Sequence, residues 1–267
     1  MLDNKIEKII KEKIIKKEKI TDAISNDVYC INDKYIIRYK TKGDIFYHPR
    51  IEKKIDNITK NYGINADTIY FDDEGNRISK RVLDFRYIDT NSREDIEKCA
   101  GTIRLLHSID IKICHNFSPF SQISFYKKQN ISLYMKEQKI IKEVKSFPLD
   151  IVVCHNDLVR GNMLFTKKKM YLIDYEYSGL NDRYFDLASF VSENEIDNKK
   201  IITFFLNSYF KNFSYSQEKF IAYLNLVNLL WLYWAEYKFN LSGNLVFKEI
   251  AKNKLEQLKK WDNISHL

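Results

Sequence analysis

A cluster of polar residues follows short apolar runs in the middle of the chain. His155 and Asp157 come directly after one run, Asn162 follows Asp157 by five residues, and Asp174 comes after a predicted hairpin. Phosphoryl transfer from a nucleotide requires a carboxylate that orients the attacking hydroxyl, oxygen ligands for Mg²⁺, and positive charge near the phosphates. Asp157 suits the first task, and the side-chain oxygens of Asn162 and Asp174 suit the second.

Taken alone, each of these residues is better explained as part of an ordinary turn, because Asp and Asn favour turns after strands. The four residues taken together are a more specific signal than any one of them. The interval between Asp157 and Asn162, and an Asp that follows a short hairpin, match the catalytic loop and metal segment of protein kinases. In that layout His155 would brace the loop. We therefore expect an enzyme that transfers phosphoryl groups.

Positive charge for the phosphates is predicted earlier in the chain. Arg38 lies in a strand-like run at the position where kinases carry a phosphate-binding Lys, and Glu52 on the next predicted helix is its expected ion-pair partner. Both are also explained as ordinary surface charges, since surface ion pairs are common. The turn that contains Ser25 and Asn26 would present backbone N–H groups to phosphate, although it has no glycine.

The elements that must position these residues fall into two predicted lobes, residues 1–85 and 86–267. The first lobe contains a helix with isoleucines at helical spacing, two hairpins and a second helix, so an antiparallel sheet is expected there. The second lobe is mainly helical and includes a buried helix over residues 220–235. The predicted fold class is α+β, with a small nucleotide-binding lobe followed by a larger catalytic and acceptor-binding lobe.

Composition excludes several other classes of protein. The 267 residues include only 7 Gly and 3 Pro, which disfavours an all-β chain built from many tight turns. The net charge of +8 is spread along the chain, which favours a solvated surface over a nucleic-acid interface. Four widely spaced cysteines indicate neither a disulfide framework nor a zinc site. No signal peptide or membrane-inserting segment is predicted, so we expect a cytoplasmic protein.

The chain resembles the choline/ethanolamine kinases, in particular the bacterial Lic-type enzymes within the aminoglycoside-phosphotransferase-like group. The residues that carry the resemblance are Cys154-His155-Asn156-Asp157-Leu158-Val159 with Gly161-Asn162, Leu172-Ile173-Asp174-Tyr175-Glu176-Tyr177, Phe185-Asp186-Leu187-Ala188, Ser25-Asn26 and Leu105-Leu106-His107. The resemblance implies a two-lobe, protein-kinase-like fold that uses ATP and Mg²⁺. It also implies that Glu176 belongs to the metal segment.

The acceptor site implied by the resemblance centres on Trp231 and Trp234, with Glu193 and Tyr177 beside them. A quaternary ammonium is attracted to aromatic faces by about 0.5–2 kcal/mol per ring, so this pair suits choline. By spacing alone, two Trp residues three positions apart on a helix are also explained as core packing. We therefore expect phosphorylation of choline or a related amino alcohol, a small-molecule partner, to give phosphocholine.

The sequence leaves two other functions open. Asp22-Ala23-Ile24 replaces the paired glycines that the family carries before Ser-Asn. A catalytically silent, kinase-like binding protein is therefore one alternative. An enzyme acting on ethanolamine, an aminoglycoside or a thiamine-like alcohol is another, since it would use the same catalytic residues.

Overall fold

Residues 3–21, 26–41, 45–211, 213–261, 264 and 267 are described by the computed structural model of the chain. Packing divides the chain into two units. The first unit comprises Met1–Ile88, Asp110–Ile113 and Gly161–Ser178, and the second comprises Asp89–Ile109, Cys114–Arg160 and Gly179–Leu267. Gly161–Ser178 lie in the first unit, whereas the sequence predicts a single division near residue 85. These residues belong to the first unit because Leu172 N donates to Ile64 O at 2.7 Å, and Arg86 and Phe165 exchange two backbone hydrogen bonds.

The first unit is built on an antiparallel sheet with the strand order β1-β2-β3-β5-β4. The strands are β1 (Lys17–Ile20), β2 (Asp27–Ile31), β3 (Tyr35–Tyr39), β4 (Thr68–Phe71) and β5 (Arg77–Lys80), with helices α1 (Asp3–Ile10) and α2 (Pro49–Asn61). The short hairpin that also belongs to this unit consists of β7 (Met163–Phe165) and β8 (Met170–Leu172). It leads directly to the segment that contains Asp174.

The core of the first unit forms where α1 packs on the sheet. It consists of Ile6, Ile10, Ile31, Ile37 and Ile78. Ile6 and Ile10 share one face of α1 because residues four apart in a helix stand one above the other. Burying such isoleucines contributes about 1.5–3 kcal/mol each, which stabilises α1 on β2, β3 and β5, the three inner strands of the sheet.

The second unit is mainly helical. Its elements are α3 (Arg93–Ser108), α4 (Pro119–Tyr126), α5 (Glu137–Lys145), β6 (Ile151–Cys154), β9 (Gly179–Asp182), α6 (Arg183–Glu193), α7 (Lys199–Phe210), α8 (Gln217–Ser242) and α9 (Leu245–Trp261). β6 and β9 pair antiparallel. Helix α8 is apolar around much of its circumference because α4, α5, α6 and α9 all pack against it.

The predicted elements are found with small differences in their ends. The first helix ends at Ile10, whereas the isoleucine spacing extends it to Ile14. Strand β1 was missed by sequence reasoning because Lys17-Glu18-Lys19-Ile20 is a charged and largely exposed edge strand, without apolar alternation. Across the described residues, no helix combines the length and the apolar character that a membrane span requires.

Candidate active site

Arg38 lies in the middle of β3 and forms the ion pair with Glu52 that the sequence predicts. Its Nη1 and Nη2 atoms lie 2.8 and 2.6 Å from the two carboxylate oxygens of Glu52, in a bidentate arrangement. Glu52 is in the first turn of α2, and both side chains are almost completely buried. Burial opposes the charged form of the guanidinium, but the carboxylates of Glu52 and Asp174 outweigh it and raise the pKa of Arg38 well above its usual value.

Asp174 follows β8 and also contacts Arg38. Its Oδ1 atom lies 2.6 Å from Arg38 Nη1, and the Asp174 side chain is 28% exposed. The backbone at Asp174 is left-handed, with φ of 65°, a conformation that Asp tolerates better than most residues. Arg38 therefore joins the helix that carries Glu52 to the predicted metal segment, and Asp174 keeps some access to solvent.

Asn162 is connected to the same segment through the backbone. Its carbonyl accepts a hydrogen bond from Ile173 N at 3.0 Å, and the residue is buried at the end of a short 3₁₀ turn, Arg160–Asn162. Asn162, Asp174 and Glu176 supply only amide and carboxylate oxygens, which are the ligands that Mg²⁺ prefers. The donor set of the first unit therefore fits the predicted metal.

Glu176 is buried and is contacted by two other side chains of the first unit. Lys40 Nζ lies 2.8 Å from its Oε2 atom, and Asn26 Nδ2 donates to the same oxygen at 3.0 Å. Burial, together with the charge of Asp174, raises the pKa of Glu176, while Lys40 and Arg38 oppose the rise. Sequence reasoning missed Lys40. The available signal was its position two residues after Arg38 along an extended strand, which places both side chains on one face.

The predicted phosphate turn is only partly described. Asn26 is placed by the structure beside Glu176, whereas Ser25 lies outside the described residues. The first unit thus brings together Asn26, Arg38, Glu52, Asp174 and Glu176 from the predicted set. Tyr177 is also in this unit and is buried. The roles of all these residues in binding or catalysis stay predictions.

The loop that carries Asp157 belongs to the second unit and is held from both sides. The carboxylate of Asp186, in the first turn of α6, accepts backbone hydrogen bonds from His155 at 2.8 Å and Asn156 at 2.7 Å. On the other side, Leu158 N donates to Ser189 Oγ at 3.2 Å. Asp157 is half-buried between these anchored residues. The structure therefore fixes the backbone around the predicted catalytic carboxylate.

Asp186 is supported in turn by His107 from α3. His107 Nε2 lies 2.9 Å from Asp186 Oδ2, and its Nδ1 atom lies 2.6 Å from the hydroxyl of Tyr209. The position of Asp186 in the first turn of α6 also stabilises its negative charge through the helix dipole. From the sequence, Asp186 and His107 are named only among the residues that resemble the choline/ethanolamine kinases. The signal for a positioning role was a charged residue flanked by Phe185, Leu187 and Ala188, which are all buried.

One group of residues in the described part of the chain has the composition of a metal site. The ligand atoms of His107, Cys154 and Asp186 lie within 4.8 Å of one another. However, the Asp186 carboxylate is already bound to two backbone N–H groups, and burial raises the pKa of the Cys154 thiol well above its usual value. A protonated thiol is a poor metal ligand. The contacts of this group with His155 and Asn156 instead support the loop that carries Asp157.

The two indoles predicted for the acceptor site are in contact on α8. Trp231 and Trp234 form an edge-to-face pair with ring centroids 5.6 Å apart, and Trp234 also contacts Phe247 of α9 at 5.4 Å. Trp231 is buried, whereas Trp234 is half-buried. The pair is thus part of the packing between α8 and α9, and Trp234 retains a partly accessible surface.

Glu193 differs from expectation, because a cation of the protein itself is bound to it. Lys254 of α9 places its Nζ atom 2.7 Å from Glu193 Oε1 and 2.9 Å from Ser192 Oγ. Ser192 contacts Asn228 at 2.8 Å, one helical turn before Trp231 on α8. The acidic group that the resemblance places beside a cationic substrate is therefore already paired with Lys254. The sequence did not show this pairing because the two residues are 61 positions apart.

Similarity to known proteins extends over most of the chain. The sequence profile of the family described as choline/ethanolamine kinase matches residues 17–266. Protein LicA of Haemophilus influenzae is 27% identical over 199 residues, and the match covers 66% of this chain and 58% of that protein. The matched region thus spans less than two thirds of the length of that relative.

Solved structures with the same fold include two kinds of phosphotransferase. Choline kinase LicA from Streptococcus pneumoniae is 23% identical, with a TM-score of 0.79 and coverage of 97% of both chains. The ADP-bound aminoglycoside phosphotransferase APH(2'')-Ib is 17% identical, with a TM-score of 0.59 and coverage of 96% of this chain and 99% of that one. At these identities the likeness establishes the fold, which is protein-kinase-like.

The family profile, which covers residues 17–266, defines the class of the protein as a phosphotransferase that uses an alcohol group as acceptor. Because the family profile covers nearly the whole sequence, the chain belongs to the choline/ethanolamine kinase family. The predictions of the family, of the α+β fold class with a small antiparallel-sheet part and a helical part, and of an alcohol phosphotransferase are confirmed.

Proposed function

We propose that this protein transfers the γ-phosphoryl group of ATP to the hydroxyl group of choline, with Mg²⁺ as cofactor, to give phosphocholine. The observation that carries the choice of acceptor is the edge-to-face pair of Trp231 and Trp234, in a chain of this family. Aromatic faces attract a permanently charged quaternary ammonium and require no hydrogen bond from it.

In this proposal Asp157 orients the acceptor hydroxyl and accepts its proton. The loop around Asp157 is anchored through His155, Asn156 and Leu158, so the backbone that carries the carboxylate is held in place before the substrate arrives. Such positioning suits phosphoryl transfer, whose transition state is largely loose and depends on alignment of the reacting groups more than on a strong base. His155 acts as part of this support.

Asn162, Asp174 and Glu176 would hold Mg²⁺ in the proposed enzyme. When bound, the metal neutralises charge on the transferring phosphoryl group. Arg38 holds Asp174 at 2.6 Å and Glu52 at 2.8 Å, and it thereby fixes one of these carboxylates and adds positive charge near the phosphates. Ser25 and Asn26 complete the proposed nucleotide site. A LicA structure of the same fold, 23% identical and with a TM-score of 0.78, is a complex with AMP.

Ethanolamine is the second candidate acceptor. A segment of 79 residues is 38% identical to a probable ethanolamine kinase B of Dictyostelium discoideum, although the match covers only 27% of this chain. A primary ammonium needs hydrogen-bond acceptors, however, and the carboxylate of Glu193 is bound to Lys254. This pairing favours the quaternary ammonium of choline over the primary amine.

The proposal is tested by measuring ADP release from Mg-ATP by the purified protein with choline, ethanolamine, thiamine or an aminoglycoside. Reactions without acceptor and without metal are the controls. We expect preferential stimulation by choline that disappears without Mg²⁺, and phosphocholine as the product. If ethanolamine alone stimulates ADP release, the acceptor is ethanolamine and not choline. If none of the four acceptors stimulates ADP release, the proposed reaction is contradicted.

A further inference from the structure

Both terminal nitrogens of Arg38 already have acceptors within the protein. Nη1 contacts Glu52 and Asp174, and Nη2 contacts Glu52, the carbonyl oxygen of Gly75 at 3.0 Å and the hydroxyl of Tyr47 at 3.3 Å. The Arg38 side chain is only 3% exposed. The two terminal nitrogens therefore have little capacity left for hydrogen bonds to the phosphates of a nucleotide, and Nε, which has no partner within the described residues, is buried.

Lys40 has that capacity. It lies one residue beyond the end of β3 and two residues after Arg38, and the two side chains contact the neighbouring carboxylates Glu176 and Asp174. Its Nζ atom contacts Glu176 at 2.8 Å and lies 4.0 Å from the centroid of the Tyr47 ring. An ammonium group has more than one N–H donor, and a single donor satisfies the contact with Glu176. Lys40 is held by its neighbours and still offers hydrogen bonds.

The surroundings of Lys40 match the requirements of a phosphate site. Mg²⁺ in kinases is usually held by one or two carboxylates together with the phosphates of the substrate, so a cation bound to Glu176 lies where phosphate charge is expected. Asn26 donates to the same oxygen of Glu176 and is 92% buried. Within the described residues its Oδ1 atom has no hydrogen-bond partner. This carbonyl oxygen can only accept a hydrogen bond or contact a cation, so the donors available to a phosphate at this point are those of Lys40.

We propose that Lys40 binds the phosphate chain of the nucleotide directly, in place of the glycine-rich turn that this chain lacks. The inference rests on the proposed kinase function, because it takes a nucleoside triphosphate as the ligand. A glycine-rich turn binds phosphate through backbone N–H groups. Here Asp22-Ala23-Ile24 stands where the glycines would be, and the side chain of Lys40 supplies N–H donors and a positive charge instead.

The test is equilibrium binding of ATP, ADP and AMP to the purified protein by calorimetry, with wild type and Lys40→Met. We expect Lys40→Met to weaken ATP and ADP binding about tenfold or more, the usual effect of losing a charge-assisted hydrogen bond. The ratio of AMP affinity to ADP affinity should rise, because AMP has fewer phosphates to lose contact with. Equal loss for all three nucleotides, or no loss, would overturn the proposal.

Two further variants separate phosphate binding from support of Glu176. Lys40→Arg keeps the charge and should retain ADP binding within a few-fold. Lys40→Met/Glu176→Gln removes the carboxylate that needs a counter-ion. If Lys40 only neutralised Glu176, the double variant would recover wild-type affinity for ADP measured without Mg²⁺. We expect it to remain weak, and recovery would refute a direct phosphate contact.

Lys34→Met is the matched control, because Lys34 is 63% exposed and pairs with Glu12 at the surface of the same sheet. Its affinity for ADP should equal that of the wild type. None of these binding measurements requires the alcohol acceptor. A wild-type protein that binds ATP but phosphorylates none of the tested alcohols contradicts the proposed function, whereas unchanged binding by Lys40→Met contradicts this inference alone.

Discussion

The carboxylate of Asp186 holds the backbone of His155, whose N–H group it contacts at 2.8 Å. The two residues are 31 positions apart, and both are completely buried. A second oxygen of the same carboxylate binds Asn156 N at 2.7 Å, so one side chain at the start of α6 determines how the chain enters the loop of Asp157. The geometry of the proposed catalytic carboxylate therefore depends on a residue outside its own loop.

Asp186→Asn is expected to lower turnover far more than it affects the KM for ATP. The amide has one oxygen, so one buried N–H loses its acceptor, at a cost of about 1–3 kcal/mol in stability. Displacement of the loop should reduce kcat by about 100-fold. The measurements are urea unfolding and steady-state kinetics with ATP. Asp197→Asn, at an exposed site near Lys260, is the control. A stability loss with unchanged kcat would show a purely structural role.

Asp157→Asn should abolish most turnover, because the amide cannot accept the proton of the attacking hydroxyl. General-base groups of this kind contribute typically about 10²- to 10⁴-fold. Binding of ATP should remain close to that of the wild type, since Asp157 is assigned to the acceptor. Single-turnover kinetics and calorimetry with ATP measure the two effects separately. Parallel loss of turnover and nucleotide binding would contradict the assigned role.

Trp231→Leu should raise the KM for choline and leave the KM for ATP unchanged. Leucine keeps an apolar side chain at this buried position but removes the aromatic face, whose attraction for a cation is worth about 0.5–2 kcal/mol, or roughly 2- to 30-fold in affinity. Trp261→Leu is the matched control, because Trp261 is an equally buried indole on α9. An unchanged KM for choline in Trp231→Leu would exclude this residue from the acceptor site.

The ion pair between Lys254 and Glu193 should show strong coupling in a double-mutant cycle. Their side chains are only 5% and 12% exposed, so removing either partner leaves a charge uncompensated in a buried position. Lys254→Met alone is expected to cost roughly 3–5 kcal/mol of unfolding free energy. Lys254→Met/Glu193→Gln should be more stable than the sum of the two single changes predicts. Urea unfolding of the four proteins measures the coupling, and additive effects would show that the pair is not coupled.

Much of the local structure could be predicted from the sequence. The hairpin of β2 and β3, the helix α2 and the buried helix α8 follow from turn residues and apolar spacing, which are properties of neighbouring residues. The order of Asp157, Asn162 and Asp174 along the chain was likewise enough to indicate phosphoryl transfer. Strand β1 was missed because a charged edge strand has no apolar alternation.

The partners of the charged side chains were decided only by the tertiary structure. Arg38 meets Asp174 across 136 positions, Lys40 meets Glu176 across the same separation, and Lys254 meets Glu193 across 61. A buried charge must find a counter-charge, but the sequence does not say which one, because packing of distant elements selects the partner. The sequence by itself therefore determined the elements and the class of chemistry, and the tertiary structure determined which carboxylates already carry a cation.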